Sequence, residues 1–141
     1  MNVKIAATKE EREDAFSVRT KVFIDEQNVP VKEEIDRFED ESAHFVLYDD
    51  SQFAIGAGRF RVLDDFGKVE RICVLSSARQ QGAGAAIMNA IHKFAASKGI
   101  TKLKLNAQVH AIPFYEKLGY QTISDEFLDA GIPHKTMIKN I

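Results

Sequence analysis

The sequence predicts an α/β fold built as one domain over residues 1–141, and three observations carry that prediction. Strand and helix patterns alternate along the chain with short punctuated connections. Three apolar runs between His44 and Val74 follow one another with acidic and glycine-bearing turns between them, the pattern of antiparallel neighbours. Two glycines spaced by one residue, Gly82 and Gly84, sit where a strand pattern gives way to a helix pattern. A chain of 141 residues with 45% hydrophobic content has enough apolar material for a single core.

Val3 to Ala6 alternates as a strand. Thr8-Lys9-Glu10-Glu11 is a capping box, which opens a helix turning Ala15, Phe16, Val18 and Val22 toward the core. After Pro30 the chain turns acidic, with six acids in the nine residues from Glu33 to Glu41, read mostly as a solvated helix face, with attraction of a cationic acceptor as the alternative. His44 to Tyr48, Phe53 to Val62 and Lys68 to Val74 read as strands, joined by Asp49-Asp50-Ser51-Gln52 and by Asp64-Asp65-Phe66-Gly67, with Gly56 and Gly58 marking a bulge. The helix after the glycine pair places Ile87, Ile91, Phe94 and Ala95 on one face and stops at Gly99. A strand from Lys102 to Leu105, a short helix from Ile112 to Leu118 closed by Gly119, and strands near Tyr120 to Ile123 and Lys135 to Ile138 complete the reading.

Composition excludes several function classes. A formal charge of −2 offers no electrostatic footprint for nucleic acid. No apolar run approaches the roughly 18 residues that a membrane span needs. The first residues alternate as a strand and do not resemble a signal peptide, so a cytoplasmic location is the default expectation. The one cysteine, Cys73, forms no intramolecular disulfide and no multi-cysteine metal site, and no metal is expected.

The stretch Arg79-Gln80-Gln81-Gly82-Ala83-Gly84-Ala85 is built to hold an anion. Glycines admit close approach of the backbone, the helix they open presents unpaired N–H groups at its positive end, and Arg79 adds a charge. A P-loop would need a Lys followed by Ser or Thr, and both are absent. A dinucleotide fingerprint would need a third glycine where Ala85-Ala86-Ile87 stands, and an acid where the next strand pattern ends in Asn106. Arg-x-x-Gly-x-Gly remains. That loop resembles the pyrophosphate loop of the GCN5-related N-acetyltransferases (GNAT). The flanks extend the likeness. Glu70-Arg71-Ile72-Cys73-Val74-Leu75-Ser76 is similar to the strand that enters the loop in that family, with Ser76 in place of the usual proline. Leu103 to Gln108 resembles the strand that follows, and Phe114-Tyr115-Glu116-Lys117-Leu118-Gly119 a segment after it. Arg19 to Pro30 with Glu34 and Asp36, and Phe127 to Met137, narrow the resemblance to the ElaA/YjcF-like branch of small bacterial acetyltransferases.

The resemblance implies an α+β-type mixed sheet. It is mostly antiparallel, flanked by helices, with one splayed parallel pair at an acetyl-CoA site. It implies acetyl transfer from acetyl-CoA to a primary amine of a small molecule or peptide by direct attack in a ternary complex, or, as the alternative, a non-catalytic acetyl-CoA sensor. Arg79, Gln80, Gln81, Gly82, Ala83, Gly84 and Ala85 would then hold the pyrophosphate. The backbone of Ile72, Cys73 and Val74 would meet the pantetheine arm, with Asn106 also within its reach. Tyr115 is the candidate acid at the departing sulfur, and Glu70 the candidate base, with pairing to Arg59 or Arg61 as its competing role. An N–H of Val74 or Leu75 would face the acetyl oxygen. Glu26 is an alternative base, His110 and His134 are further candidates for proton transfer, and Glu26, Gln27, His110 and His134 are candidates for the acceptor side. Cys73, inside an apolar strand, reads as an inert thiol. Exposed strands near the C-terminus would allow a homodimer.

Overall fold

The computed structural model describes residues 1–141, and its architecture is an eight-stranded mixed sheet with helices on both faces. Strand β1 (Asn2–Ile5) leads to helix α1 (Lys9–Arg19). The Thr8 hydroxyl accepts from the Glu11 amide at 3.1 Å and Glu11 reaches back to the Thr8 amide, so the expected capping box is formed. The chain then widens into a π-helical segment, Thr20–Glu26, followed by a single turn α2 (Val31–Glu34) and a 3₁₀ turn at Glu39–Glu41. Strands β2 (Ala43–Tyr48), β3 (Ala54–Leu63) and β4 (Phe66–Val74) form an antiparallel meander. Helix α3 (Ala83–Ser97), β5 (Lys102–Gln108) and the short α4 (Ile112–Lys117) follow. The chain finishes with β6 (Gln121–Thr122), β7 (Phe127–Asp129) and β8 (Ile132–Asn140). The strand order is β1-β2-β3-β4-β5-β8-β6, with β7 paired to β8. Only β4 and β5 run parallel. No helix is long and apolar enough to cross a membrane.

Alternation along the strands divides the core. Phe45 and Leu47 face α3, packing with Ile87, Met88, Ile91 and Ala95, while Val46, Tyr48, Ala57 and Cys73 meet Ala15, Val18 and Val22 from the α1 side. Gly56 and Gly58 let α3 approach. A Cβ on Gly56 would stand 2.8 Å from the end of Ile87, and one on Gly58 3.1 Å from the same side chain. The irregularities lie beside them. Between the pairs Ala57↔Cys73 and Arg59↔Glu70, Arg71 and Ile72 of β4 oppose the lone Gly58, and Arg71 adopts φ 58°.

Three sequence expectations are corrected. Phe66 and Gly67 belong to β4, the turn being Asp64-Asp65 alone. Strand β5 runs on through Asn106 to Gln108, because its far half pairs with β8. The strand expected over Lys135 to Ile138 begins at Ile132 and runs to Asn140, because it pairs with β7 through a turn made by Ala130 and Gly131 at φ 52° and 76°.

The acidic segment 33–41 is the larger correction. Glu34 and Glu39 are buried, as are Arg19, Arg59 and His44. Arg19 donates from Nε to Glu34 Oε1 at 2.8 Å, from Nη1 and Nη2 to the Glu39 carboxylate at 2.9 and 2.8 Å, and from Nη2 to the Glu34 carbonyl at 2.9 Å. Arg59 grips Asp36 through both Nη atoms at 2.8 and 3.1 Å. Charge pairing across the α1 side has pulled these acids inward, and the segment is too short of regular helix to present a solvated face.

Candidate functional site

A cavity of about 1170 Å³ opens where β4 and β5 part. Their parallel pairing ends at Val69↔Leu105. Beyond that pair, β4 bonds only to β3 and β5 only to β8, so Glu70–Val74 and Asn106–Gln108 diverge as the walls of a wedge. The bulge at Arg71 turns β4 away and sets this divergence.

The glycine loop closes one end. Gln80 and Gly82 take left-handed conformations at φ 64° and 82°, and α3 begins at Ala83. The first turn of α3 bonds from the Ala86 amide to the Gly82 carbonyl at 3.0 Å, which leaves the amides of Ala83, Gly84 and Ala85 at the helix start without intrahelical acceptors. Gly84 packs under Phe114, whose ring would stand 3.1 Å from an added Cβ. Successive free amides in a left-handed turn at a helix N-terminus form a concavity suited to an anion. Arg79 lies beside it. Its Nε donates to the Val74 carbonyl at 3.0 Å and its two Nη atoms to Glu26 at 2.7 and 2.8 Å. That pair spans from the loop to the π-helical segment and holds the Glu26 carboxyl below its ordinary range.

Some of the backbone at this end of β4 is already engaged: the Val74 carbonyl accepts from Arg79, and the Leu75 N–H donates to the Ile55 carbonyl at 2.9 Å. Leu75 is therefore removed as a donor to an acetyl oxygen, since its one backbone hydrogen is already spent. Cys73 is 5% exposed and burial pushes its thiol up to about 12, which suppresses the thiolate. Tyr115 forms part of the floor, its ring edge-on to Phe114 at 5.0 Å and to Tyr120 at 5.9 Å. Burial raises its phenol well above the ordinary value, so the hydroxyl stays protonated. Asn106 sits inside β5, opposite Thr136, whose hydroxyl donates to its side-chain oxygen at 2.8 Å.

Glu70 lies on the wall but does not suit a base. Its Oε1 accepts from Arg61 Nε at 2.6 Å and stands 3.0 Å from Arg59, while Lys68 lies 3.6 Å from Oε2. Burial acts to raise its pKa, yet Arg61, Arg59 and Lys68 outweigh that and the net shift is downward. A base needs greater proton affinity, so the pairing role across the hairpin is the one the geometry supports.

The opposite wall carries Glu26 and Gln27 from the π-helical segment, with the Gln27 side-chain oxygen accepting from Gln108 at 2.8 Å across the opening. His110 is exposed on the turn after β5. His134 is buried on β8, stacked on Phe127, with Nδ1 donating to the Ile132 carbonyl at 2.6 Å. The cavity gathers the site residues named from the sequence except Leu75 and Gln81, the side chain of the latter turning toward the Ser77 carbonyl. Glu34 and Arg71 were missed as wall residues. Their signal was Arg19, which falls on the same helix stripe as Ala15 and Val22 and so had to be buried with an acid.

Comparison with known proteins agrees with this geometry. The family of the acetyltransferase (GNAT) domain matches residues 6–141. The chain is 53% identical over 141 residues to the uncharacterised N-acetyltransferase YjcF of Bacillus subtilis, covering 99% of this chain and 100% of that protein. The crystal structure of an acyl-CoA N-acyltransferase from Pseudomonas aeruginosa superposes with a TM-score of 0.85 at 25% identity, over 98% of this chain and 97% of that one. Escherichia coli ElaA shares the fold, with a TM-score of 0.88 at 18% identity over 99% of both chains.

Proposed function

The chain belongs to the GNAT acetyltransferase family, and on that premise we propose that it is an enzyme that moves an acetyl group from acetyl-CoA to a primary amine by direct attack. The observation that carries the reading is the pairing of a free-amide loop over Ala83 to Ala85 with a wedge between β4 and β5 in one cavity. The residues present fit acetyl-CoA: the loop amides and Arg79 would hold the pyrophosphate, and the backbone from Ile72 to Val74 would meet the amides of the pantetheine arm. When bound, it supplies a thioester. The amine lone pair forms the C–N bond, the C–S bond breaks with its electron pair leaving on sulfur as a thiolate, and nitrogen gives one proton to water while water returns one to sulfur.

The chain's own residues then divide the work. Tyr115 keeps its hydrogen and donates it as a hydrogen bond to the departing sulfur. Its raised pKa lies above the roughly 8.5 of a thiol, so it stabilises the leaving group without surrendering the proton for good. Glu70, already saturated by three cations, balances charge on the wall, and the amine's proton passes to water in the open cavity. Asn106 orients the arm through its amide hydrogens, the side-chain oxygen being held by Thr136. Glu26, Gln27, His110 and His134 shape the acceptor side.

Isothermal titration of the protein with acetyl-CoA tests this. Arg79→Ala and Gly82→Asp should each weaken binding by about tenfold or more, the first by removing a charge-assisted contact and the second by placing a carboxylate in the cradle. A wild type that does not bind acetyl-CoA removes the reading.

A further inference from the structure

We propose that the Glu26–Arg79 pair is a latch across the mouth of the cavity, opened when the pyrophosphate of acetyl-CoA takes the place of the Glu26 carboxylate on Arg79; this rests on the acyltransferase reading above. Glu26 closes the π-helical segment and Gln27 follows it, and the two reach opposite walls of the wedge. Glu26 is bound to Arg79, beyond the end of β4, while the Gln27 side-chain oxygen accepts at 2.8 Å from Gln108, the last residue of β5. One ionic and one neutral bridge thus run from this segment to the two diverging strands. No nitrogen of Arg79 is left over. Nε donates to the Val74 carbonyl at 3.0 Å, Nη1 to Glu26 Oε2 at 2.8 Å and Nη2 to Glu26 Oε1 at 2.7 Å. The guanidinium already holds an anion, whereas the neighbouring amides of Ala83, Gly84 and Ala85 have no intrahelical acceptor.

Geometry and solvent both mark that anion as exchangeable. The two Nη atoms grip the two carboxylate oxygens as a fork, and two oxygens of a phosphate satisfy the same fork. The Arg79 and Glu26 side chains are 40% and 42% exposed, so water screens the pair and its loss shifts an equilibrium by about fivefold at most. Arg19 with Glu34 and Glu39 is the contrary case, because parting those buried groups would strand a charge away from water. A pyrophosphate carries more charge than a carboxylate and reaches the loop amides as well, so the exchange favours it. The bond from Nε to the Val74 carbonyl keeps the guanidinium at the loop, and the carboxylate is the partner that moves. The Gln27–Gln108 bridge involves no charge and stays in place. Glu26 therefore acts on acetyl-CoA through Arg79, holding the affinity of the free protein below what the loop alone would give.

The test is a double-mutant cycle in which acetyl-CoA is titrated calorimetrically into the whole protein as wild type, Glu26→Gln, Arg79→Ala and the double variant. Glu26→Gln keeps the size of the side chain and removes its charge, so Arg79 no longer has an anion to exchange. It should tighten acetyl-CoA binding about threefold to fivefold where Arg79 is present, and change it by less than about 1.5-fold where Arg79→Ala has removed the latch. Unchanged or weaker binding by Glu26→Gln overturns the proposal, the weaker result making the pair a clasp that closes over acetyl-CoA. Equal tightening in both backgrounds also overturns it, since charge repulsion between Glu26 and the pyrophosphate then accounts for the whole gain. Each of these results leaves the acyltransferase reading standing. Failure of the wild type to bind acetyl-CoA removes that reading and the latch with it.

Discussion

Tyr115 and Glu70 show how burial assigns opposite roles to two titratable groups on one cavity. Burial raises the Tyr115 phenol and nothing charged relieves it, so it is a lasting hydrogen-bond donor. Tyr115→Phe should lower kcat by roughly ten- to a hundredfold and leave acetyl-CoA affinity unchanged, measured by thiol release beside calorimetry. Glu70 is only partly buried and is held by Arg61, Arg59 and Lys68, which together lower its pKa. Glu70→Gln should therefore leave the pH at the midpoint of the kcat/KM profile in place; a shifted acidic limb would restore Glu70 as the base. The likeness of Tyr115 to its family segment was legible because short motifs keep their order along a chain. The captivity of Glu70 was legible only as one of two options, since strand pairing had to set Arg59 opposite it.

The site is made by irregular elements. A regular β4 would continue beside β5, and the bulge at Arg71 is what opens the wedge. The π-helical segment similarly carries α1 onward so that Val22 enters the core while Glu26 and Gln27 reach the cavity. Periodicity does not foretell either feature, because both consist of a departure from period. The start of α1 is the contrary case, written in four residues. Thr8→Ala should cost about 1 kcal/mol, read as a lowered Tm in thermal unfolding, with the bulge and the loop undisturbed.

Across the molecule, the buried ion network binds α1, the acidic segment and the strands β3 and β4 into one body. Burial raises the Glu39 carboxyl, but Arg19 and Arg59 outweigh it and draw it down to about 2. A group whose folded pKa is depressed contributes stability that is complete above its unfolded value and lost as pH falls. The expected window is therefore from about pH 4.5 down to about 2, with on the order of 3 kcal/mol at stake for this one group. Asp36 and Glu70 are shifted in the same direction and reinforce it. Urea unfolding at pH 7 and at pH 3.5 should show this loss, and Glu39→Gln should lower stability at pH 7 while flattening the dependence on pH.

Local chemistry was enough for most of the strands and helices, the capping box, the glycine loop and the family likeness. Each depends on residues close together in the chain, where backbone geometry and periodicity act directly. Which charges are buried and where β4 leaves β5 depend on pairings such as Arg19 with Glu39 and Arg59 with Asp36. Those contacts join segments far apart in sequence, and their energies exist only once the sheet and α1 have brought the partners within hydrogen-bond range.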